Sequence, residues 1–510
     1  MSGWNHVEKE TCLLKTKREL GLFSTVMMGL SGAIGFEIFI LLNYAYFHLV
    51  GYGIIWALLL AGLINILIML SYCELGAAMP MVGGEYTYIK NAYGGFVAFI
   101  SGCFRWLASE FGAALAAVSF TQQLAHFFSI IAPATENFIL EHAPVIIIIV
   151  VLIFMMSDIK GVKQLGSVIV IIFLALFTVL IIGGLLHGTN PPGILSTPSL
   201  ESLPSALAAV VYVFPMFFGM RALVAGAVHV KNPGKNIPRG ILLSALLIIP
   251  LYVGLAYIGV SVVSPEEAPS TLFLNLAAER VMGWMGGVLF AFAGMVASLS
   301  ALGTSLSVQS SISRGMSRDK YLPKILLSVH RRFGTPYVAV VTGSVFVILL
   351  GSIGAVEFLG YGASIGSLIV FAFVNLSLLK LRKEKPHMER PFKTPFYPFT
   401  PIAGFLMSVV LLVFPMFLGD ENALNALTSG VGLTALVVMT YYLRMVGHHR
   451  LQIAVGGACF GIGILLTLLT CLAATGIISS IFPFIPNPIA ILIGLISMIA
   501  GFLNITERTT

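Results

Sequence analysis

The sequence predicts an all-α protein that crosses a membrane many times. Hydrophobic residues make up 58% of the chain and charged residues only 10%, whereas a soluble domain carries about 25% charged residues. The apolar residues form long blocks between short polar segments, and many blocks exceed the ~20 residues that a helix needs to span a bilayer. Backbone groups in lipid find no water to bond, so each block is predicted to be a helix.

The apolar blocks predict about fourteen spans. A polar tail, 1–19, precedes the first block, which is too long for the core of a cleaved signal. The first ten spans are predicted at 20–47, 54–79, 95–129, 144–158, 163–187, 205–229, 238–263, 283–315, 336–353 and 355–381. Four more follow at 398–418, 423–444, 451–477 and 484–504.

Lysine and arginine residues predict the orientation of these spans. Of the 28 in the chain, all but Arg105, Arg221 and Arg280 fall in the tail or in alternate loops. Because positively charged loops stay on the cytoplasmic side, both termini are predicted to be cytoplasmic, in a protein of the cell membrane. The net charge of +7 follows from this topology and from contact with membrane lipids, so we predict no nucleic-acid partner.

The sequence carries no sign of enzyme chemistry. Its five cysteines are scattered and none pairs at the spacing of metal ligands. No P-loop, catalytic triad or cofactor fingerprint stands out. We therefore predict no enzyme activity, no metal and no cofactor.

Two of the predicted helices carry residues that interrupt helices. The first span contains Gly29, Gly32 and Gly35, and the sixth contains Pro215 and Gly219. Glycine and proline also allow close packing of membrane helices. Transporters with inverted repeats, however, bind their solute between interrupted helices in corresponding positions of the two halves. A matched pair five spans apart therefore favours a transporter.

Several short motifs occur in a family order. They are Ser31–Phe39 (SGAIGFEIF), Glu74–Leu75, Pro80–Tyr86 (PMVGGEY), Lys231–Pro238 (KNPGKNIP), Ser313–Pro323, Phe333–Pro336 (FGTP) and Arg390–Phe392 (RPF). Over residues 18 to about 400 the chain thus resembles the amino acid–polyamine–organocation transporters. The resemblance implies a LeuT-like five-plus-five inverted repeat, with repeats at 20–187 and 205–381, two further helices at 398–444, and extra helices at 451–504.

The resemblance also implies secondary active transport of amino acids or polyamines by alternating access, with the substrate between the unwound first and sixth spans. Candidate substrate-binding residues are Ser31, Gly32, Ala33, Ile34, Gly35, Phe36, Glu37, Trp106, Glu110, Tyr212, Pro215, Phe218, Gly219 and Arg221. Candidates for gating or coupling are Glu37, Arg221, Ser300 and Thr304. A nutrient-sensing receptor without turnover, or an inorganic cation transporter on the same fold, is the alternative.

Glu37 and Arg221 reverse the charge pattern that the resemblance implies. Glu37 stands where the family has a glycine that meets a substrate carboxylate, so it favours an amine instead. It resembles the polyamine-uptake branch, as does Gly102–Leu107 (GCFRWL). Arg221 stands where many relatives have an acid. Either the two form a salt bridge that also serves as a gate, or Arg221 binds a substrate carboxylate, or Glu37 independently binds an amine or a proton.

The remaining candidates also leave alternatives open. Glu110 either pairs with Arg105 or with a residue of another helix, or takes part in binding or proton coupling. Trp106 and Tyr212 either pack or form an aromatic wall. Hydroxyls such as those of Ser300 and Thr304 either complete a sodium site or bond back to their own helix. Exchange, coupling to protons through Glu37 or Glu110, and coupling to sodium thus all stay open. Residues 130–143 contain no cysteine, so no disulfide-linked heavy chain is predicted.

Overall fold

The computed structural model describes residues 18–81, 83–159, 166–186, 203–264, 266, 272–333, 335–417, 421–445 and parts of 456–499. Within them, eight helices are long and apolar enough to cross a membrane, or nine if the bent pair Pro133–Glu141 and Ala143–Ser157 is one more span. The predicted all-α, multi-spanning fold is therefore confirmed. The predicted tail 1–19 and spans 451–477 and 484–504 lie largely outside the described residues, so the count of fourteen stays a prediction.

The helices are numbered in chain order. The first eight are α1 (Leu22–Ala33), α2 (Glu37–Tyr44), α3 (Ile54–Ala78), α4 (Gly84–Tyr93), α5 (Gly95–Ile131), α6 (Glu136–Glu141), α7 (Ala143–Ile159) and α8 (Gly166–Leu186). The next nine are α9 (Leu203–Val213), α10 (Ala222–Ala225), α11 (Pro233–Val262), α12 (Phe273–Met282), α13 (Trp284–Arg318), α14 (Tyr337–Gly351), α15 (Val356–Glu384), α16 (Phe399–Phe417) and α17 (Glu421–Met445).

The first of two compact units comprises Met1–Ala98, Gln164–Gly286 and Val370–Leu411. Its core forms where α1 and α3 pack against α11. Small residues allow the close approach: a Cβ atom on Gly29 would overlap Ser244, and one on Gly62 would meet Ile249. The Ser244 hydroxyl also donates to the carbonyl of Val26 at 3.2 Å.

Backbone contacts at the two ends of this unit join segments that lie far apart in the chain. At one end Leu20 forms a β-bridge with Val230, which ties the start of α1 to the loop before α11. At the other end the Tyr46 hydroxyl donates to the carbonyl of Val263 at 2.5 Å. The start of α1 and the loop after the sixth predicted span therefore lie at the same end.

The second compact unit comprises Phe99–Lys163, Gly287–Ile369 and Leu412–Thr510. Hydrogen bonds from buried polar side chains join its helices. The Ser298 hydroxyl on α13 donates to the hydroxyl of Ser119 on α5 at 3.0 Å. The amide of Gln309, further along α13, donates to the carbonyl of Ala339 on α14 at 3.1 Å. Such bonds hold membrane helices together where the lipid offers polar groups no partner.

The start of the seventh span differs from the prediction by a full helical turn. The seventh span was predicted to begin at residue 238, but α11 begins at Pro233. Asn232 adopts a left-handed conformation (φ 46°), and Pro233 follows at the first helical position, where its missing amide hydrogen and its fixed φ favour a helix start. Pro238 is therefore accommodated inside the helix rather than at its beginning.

Candidate functional site

The first predicted span is two helices separated by a short non-helical segment. α1 ends at Ala33, where the amide of Ile34 still donates to the carbonyl of Leu30 at 2.7 Å, and α2 begins at Glu37. Residues 34–36 lie outside both helices, so the last carbonyls of α1 and the first amides of α2 lack regular helical partners. Free backbone groups of this kind bind ions or polar solutes in membrane proteins.

The sixth predicted span also departs from α-helix. α9 ends at Val213, and a 3₁₀-helical segment, Phe214–Arg221, follows before α10 begins. Pro215 lies in the first turn of this segment and has no amide hydrogen to donate to the preceding turn. The regular helix therefore changes its geometry at the position of the proline.

The two interrupted segments touch backbone to backbone at a pair of glycines. A Cβ atom on Gly219 would overlap the carbonyl group of Gly32 and the amide nitrogen of Ala33. A Cβ atom on Gly32 would in turn overlap the carbonyl of Gly219. A side chain at either position would push the segments apart. The structure thus brings both interrupted segments together within one compact unit.

Most other candidate residues on these segments are buried. The buried ones are Ala33, Ile34, Phe36, Pro215 and Phe218. Ser31 is half-buried on the last turn of α1. Tyr212, buried near the end of α9, places its ring centre 4.8 Å from that of Tyr44 on α2. This ring contact joins the helix that follows the first break to the helix that precedes the second.

Glu37 places a carboxylate in the first turn of α2, beside the break. The side chain folds back over Gly35, since a Cβ atom added there would overlap Oε2. The free amides at a helix start carry a partial positive charge, which favours a carboxylate at this place. Oε2 is buried and accepts no hydrogen bond from the described residues. This oxygen is therefore available to a proton or to the N–H group of a ligand.

Arg221 ends the 3₁₀ segment with its guanidinium against two aromatic rings. Its Cζ lies 4.8 Å from the ring centre of Phe218 and 5.6 Å from that of Phe371 on α15. These distances are typical of cation–π contacts. Arg221 also interacts electrostatically with Glu37. The two charges therefore act on each other across the break, while Glu37 Oε2 lacks a hydrogen bond.

Tyr252 also contacts the break, although no sequence pattern predicts this contact. This tyrosine, fully buried on α11, donates its hydroxyl proton to the carbonyl of Ala33 at 2.5 Å. Its ring centre lies 5.6 Å from that of Phe217 in the 3₁₀ segment. No local pattern marks Tyr252, because its role depends on the packing of α11 against the end of α1.

Trp106 and Glu110 lie on α5 in the second unit and have different surroundings. The indole N–H of Trp106 donates to Gln309 Oε1 at 3.0 Å, and the ring meets Phe346 edge-on at 4.9 Å. Trp106 thus packs against α13 and α14. Glu110 is fully buried, and neither of its carboxylate oxygens accepts a hydrogen bond from the described residues.

The considered pairing of Glu110 with Arg105 is not a hydrogen bond. Arg105 instead donates from Nη1 to Ser109 Oγ at 2.7 Å, one helical turn away. Residues five apart on a helix do not lie on the same face, whereas residues four apart do. This spacing explains why Arg105 contacts Ser109 and leaves Glu110 without its hydrogen bonds.

One member of the candidate hydroxyl pair on α13 bonds to its own helix. The Thr304 hydroxyl donates to the carbonyl of Ser300 at 2.9 Å, which is the bond that the back-bonding alternative expects. Across the described residues, no three His, Cys, Asp or Glu side chains cluster closely enough to hold a metal ion.

A buried ion-pair cluster at the end of α3 was also missed. Glu74 is fully buried and accepts hydrogen bonds from Arg382 Nε at 2.7 Å and Nη2 at 2.5 Å. Arg390 Nε lies 3.3 Å from the same carboxylate, and the amide of Thr394 donates to it at 2.7 Å. Glu74 thereby joins α3 to the end of α15 and to the loop that follows α15.

Comparisons with known proteins agree with this architecture. A family profile described as "Amino acid permease" matches residues 20–443. The chain is 28% identical over 420 residues to a branched-chain amino acid permease of Bacillus subtilis, covering 78% of this chain and 88% of the relative. It is 26% identical over 404 residues to that organism's methylthioribose transporter (76% and 86%). It is 24% identical over 474 residues to its glutamate/serine transporter (84% and 86%).

Proposed function

Because the chain belongs to the amino acid permease family, a branch of the amino acid–polyamine–organocation transporters, we propose that it carries small organic solutes with an amino group by alternating access. The family assignment makes the chain a membrane transporter rather than an enzyme. The solute binds where α1 gives way to α2, against the 3₁₀ segment Phe214–Arg221. Interrupted helices suit this role, because their free backbone groups bind solutes and their ends can repack.

The observation that carries the proposal is the buried oxygen of Glu37. Oε2 lies at the break, inside the membrane span, and lacks a hydrogen bond among the described residues. An ammonium group supplies both the proton donor and the opposite charge that this oxygen lacks. A solute carboxylate would be repelled by Glu37 and binds Arg221 instead. Both amino acids and simple amines, including polyamines, fit these two charges.

Uptake into proteoliposomes tests this function directly. We would load vesicles containing the purified protein and offer radiolabelled leucine, serine, methylthioribose and putrescine. Accumulation or counterflow of at least one amino compound is expected. Transport of methylthioribose alone, which has no amino group, would contradict the role of Glu37. Saturable binding without flux would favour a nutrient-sensing receptor, and flux of rubidium or sodium alone would favour an inorganic cation transporter.

Glu37→Gln is expected to weaken binding of the amino solute far more than Arg221→Lys does. The first change removes the charge that attracts the ammonium group and raises KM by about tenfold to a hundredfold, the value of a hydrogen bond to a charged group. The second keeps the positive charge and loses mainly aromatic contact. KM values from initial uptake rates measure both. Equal losses in the two variants would favour a salt bridge that needs both partners.

Coupling is proposed to use protons at Glu110. An ionised carboxylate is costly to bury without a hydrogen bond, so a carboxyl group in these surroundings suits the uptake and release of a proton during transport. Glu110→Gln mimics the neutral form permanently. We expect it to abolish accumulation driven by an imposed pH gradient while exchange across the membrane continues. Gradient-driven accumulation at the wild-type level in Glu110→Gln would rule out this role.

The proposed location is the cell membrane, with both termini in the cytoplasm. The loop charges support it, and so does the β-bridge between Leu20 and Val230, which joins the start of α1 to the loop after the sixth span. Labelling of single cysteines introduced at Glu19 and Glu266 with an impermeant maleimide tests this in intact cells. Only the second should react. We propose no disulfide-linked partner chain, since residues 130–143 lack cysteine.

A further inference from the structure

The end of α1 presents a backbone carbonyl that the break deprives of its regular partner. Ala33 is the last residue of α1 and is 1% exposed, so no bulk water reaches it. An unpaired carbonyl in a membrane interior is costly, and it must meet a water, a cation or a side-chain donor. In transporters with interrupted helices, such unwound carbonyls are typical ligands of the coupling cation.

Tyr252 supplies that donor from a different helix. Its hydroxyl hydrogen points to the Ala33 carbonyl with an oxygen–oxygen distance of 2.5 Å, and the side chain is fully buried. The ring packs against Phe217, so two elements fix its position. On the other side of the same backbone, the amide nitrogen of Ala33 contacts Gly219. The Ala33 backbone is thus held between α11 and the 3₁₀ segment.

We propose that Tyr252 is a positioning residue of the transport site: its hydroxyl takes the place of a coupling cation at the Ala33 carbonyl and holds the break without sodium. This inference rests on the proposed function only for its effect on transport. The hydroxyl holds the carbonyl of Ala33, four residues before Glu37 in the chain, so it links the geometry of the break to the carboxylate that meets the solute.

If Tyr252 has this role, loss of its hydroxyl should affect solute binding and leave the later steps of transport unchanged. Removing the hydroxyl leaves the Ala33 carbonyl without its donor, so the break no longer holds the backbone groups and Glu37 in their binding arrangement. Solute affinity should fall, while the steps that follow binding use the same helices as before. A purely structural loss would instead lower the amount of folded protein and the maximal rate together.

Tyr252→Phe, which deletes one oxygen and keeps the ring, tests this without requiring a known solute. Hydrogen–deuterium exchange of peptides covering residues 30–36 should speed up about tenfold in this variant. Tyr257→Phe, on the same helix five residues further on, should leave exchange unchanged. In the wild-type protein, replacing sodium chloride with choline chloride should make no difference to exchange in this segment.

Two results of the exchange experiment would overturn the proposal. One is exchange at residues 30–36 that stays at the wild-type rate in Tyr252→Phe. The other is sodium-dependent protection of this segment in the wild-type protein, which would mean that a cation holds the carbonyl.

Uptake of the best substrate among leucine, serine and putrescine adds a third readout, with KM raised about tenfold and the maximal rate within twofold in Tyr252→Phe. A maximal rate that falls in parallel with the solute affinity would also contradict a positioning role. Failure of all uptake in the wild-type protein would sink the proposed function but leave the exchange result standing.

Discussion

Gly219→Ala should abolish transport while the protein still inserts into the membrane. The new methyl group would overlap the carbonyl of Gly32 and the amide of Ala33, which are backbone atoms that cannot rotate away. Overpacking of this kind costs about 3 kcal/mol, and 1.4 kcal/mol corresponds to a factor of ten. We therefore expect initial uptake to fall by about a hundredfold or more, because the two interrupted segments can no longer meet.

Gly112→Ala provides the matched control for this prediction. Gly112 also lies inside a membrane helix, α5, but a Cβ atom there meets nothing within 4 Å. Alanine favours a helix over glycine by about 1 kcal/mol, so this variant should transport normally and unfold at the same or a higher temperature. Near-normal uptake in Gly219→Ala would show that the segments separate more freely than the structure implies.

The position of this contact was partly predictable from the sequence. Glycine and proline mark helix interruptions in a single chain, because their effects act through their own backbone. Gly32 and Pro215 were therefore identifiable without any partner. The resemblance to a transporter family then indicated that the two breaks lie together. Periodic apolar blocks likewise predicted the spans, since each block depends only on the thickness of the bilayer.

Contacts that depend on packing between distant segments were not predictable. Tyr252 caps Ala33 although 219 residues separate them, and nothing near Tyr252 in the chain distinguishes it from an ordinary buried tyrosine. The alternative that Arg105 pairs with Glu110 was misleading for a related reason. Their opposite charges suggested a pair, but the helix directs the two side chains to different faces, and Ser109 accepts the hydrogen bond of Arg105.

The same limit hid the ion pairs of Glu74, which carry the second large prediction. Glu74 lies in one family motif and Arg390 in another, and Arg382 is one of six Lys and Arg residues between Lys380 and Lys393 that the sequence predicts to be cytoplasmic. The structure buries the carboxylate and places both guanidinium groups on it, with side-chain exposures of 18% for Arg382 and 8% for Arg390. Two poorly solvated positive charges therefore depend on one negative charge.

Glu74→Gln is expected to destabilise the protein strongly. Removing one partner of a buried ion pair costs about 3–5 kcal/mol, because the remaining charge is left uncompensated. At roughly 2 °C per kcal/mol, thermal unfolding in detergent should shift down by about 6–10 °C. Glu384→Gln is the control, since its pair with Lys380 is 3.6 Å long and half-exposed; such surface pairs contribute at most about 1 kcal/mol.

The loop after α15 gives this prediction a local readout. Arg390 also donates to the carbonyls of Leu381 and Lys385, both at 3.0 Å, so the loop folds around the arginine that Glu74 holds. Losing the carboxylate should release the loop and speed tryptic cleavage after exposed Lys393, whose next residue, Thr394, donates its amide to Glu74, even below the unfolding temperature. If the cleavage rate and the unfolding temperature of Glu74→Gln match those of Glu384→Gln, the arginines are held by backbone carbonyls alone. In that case the two arginines would not need the negative charge of Glu74, and the cluster would not be what joins α3 to α15.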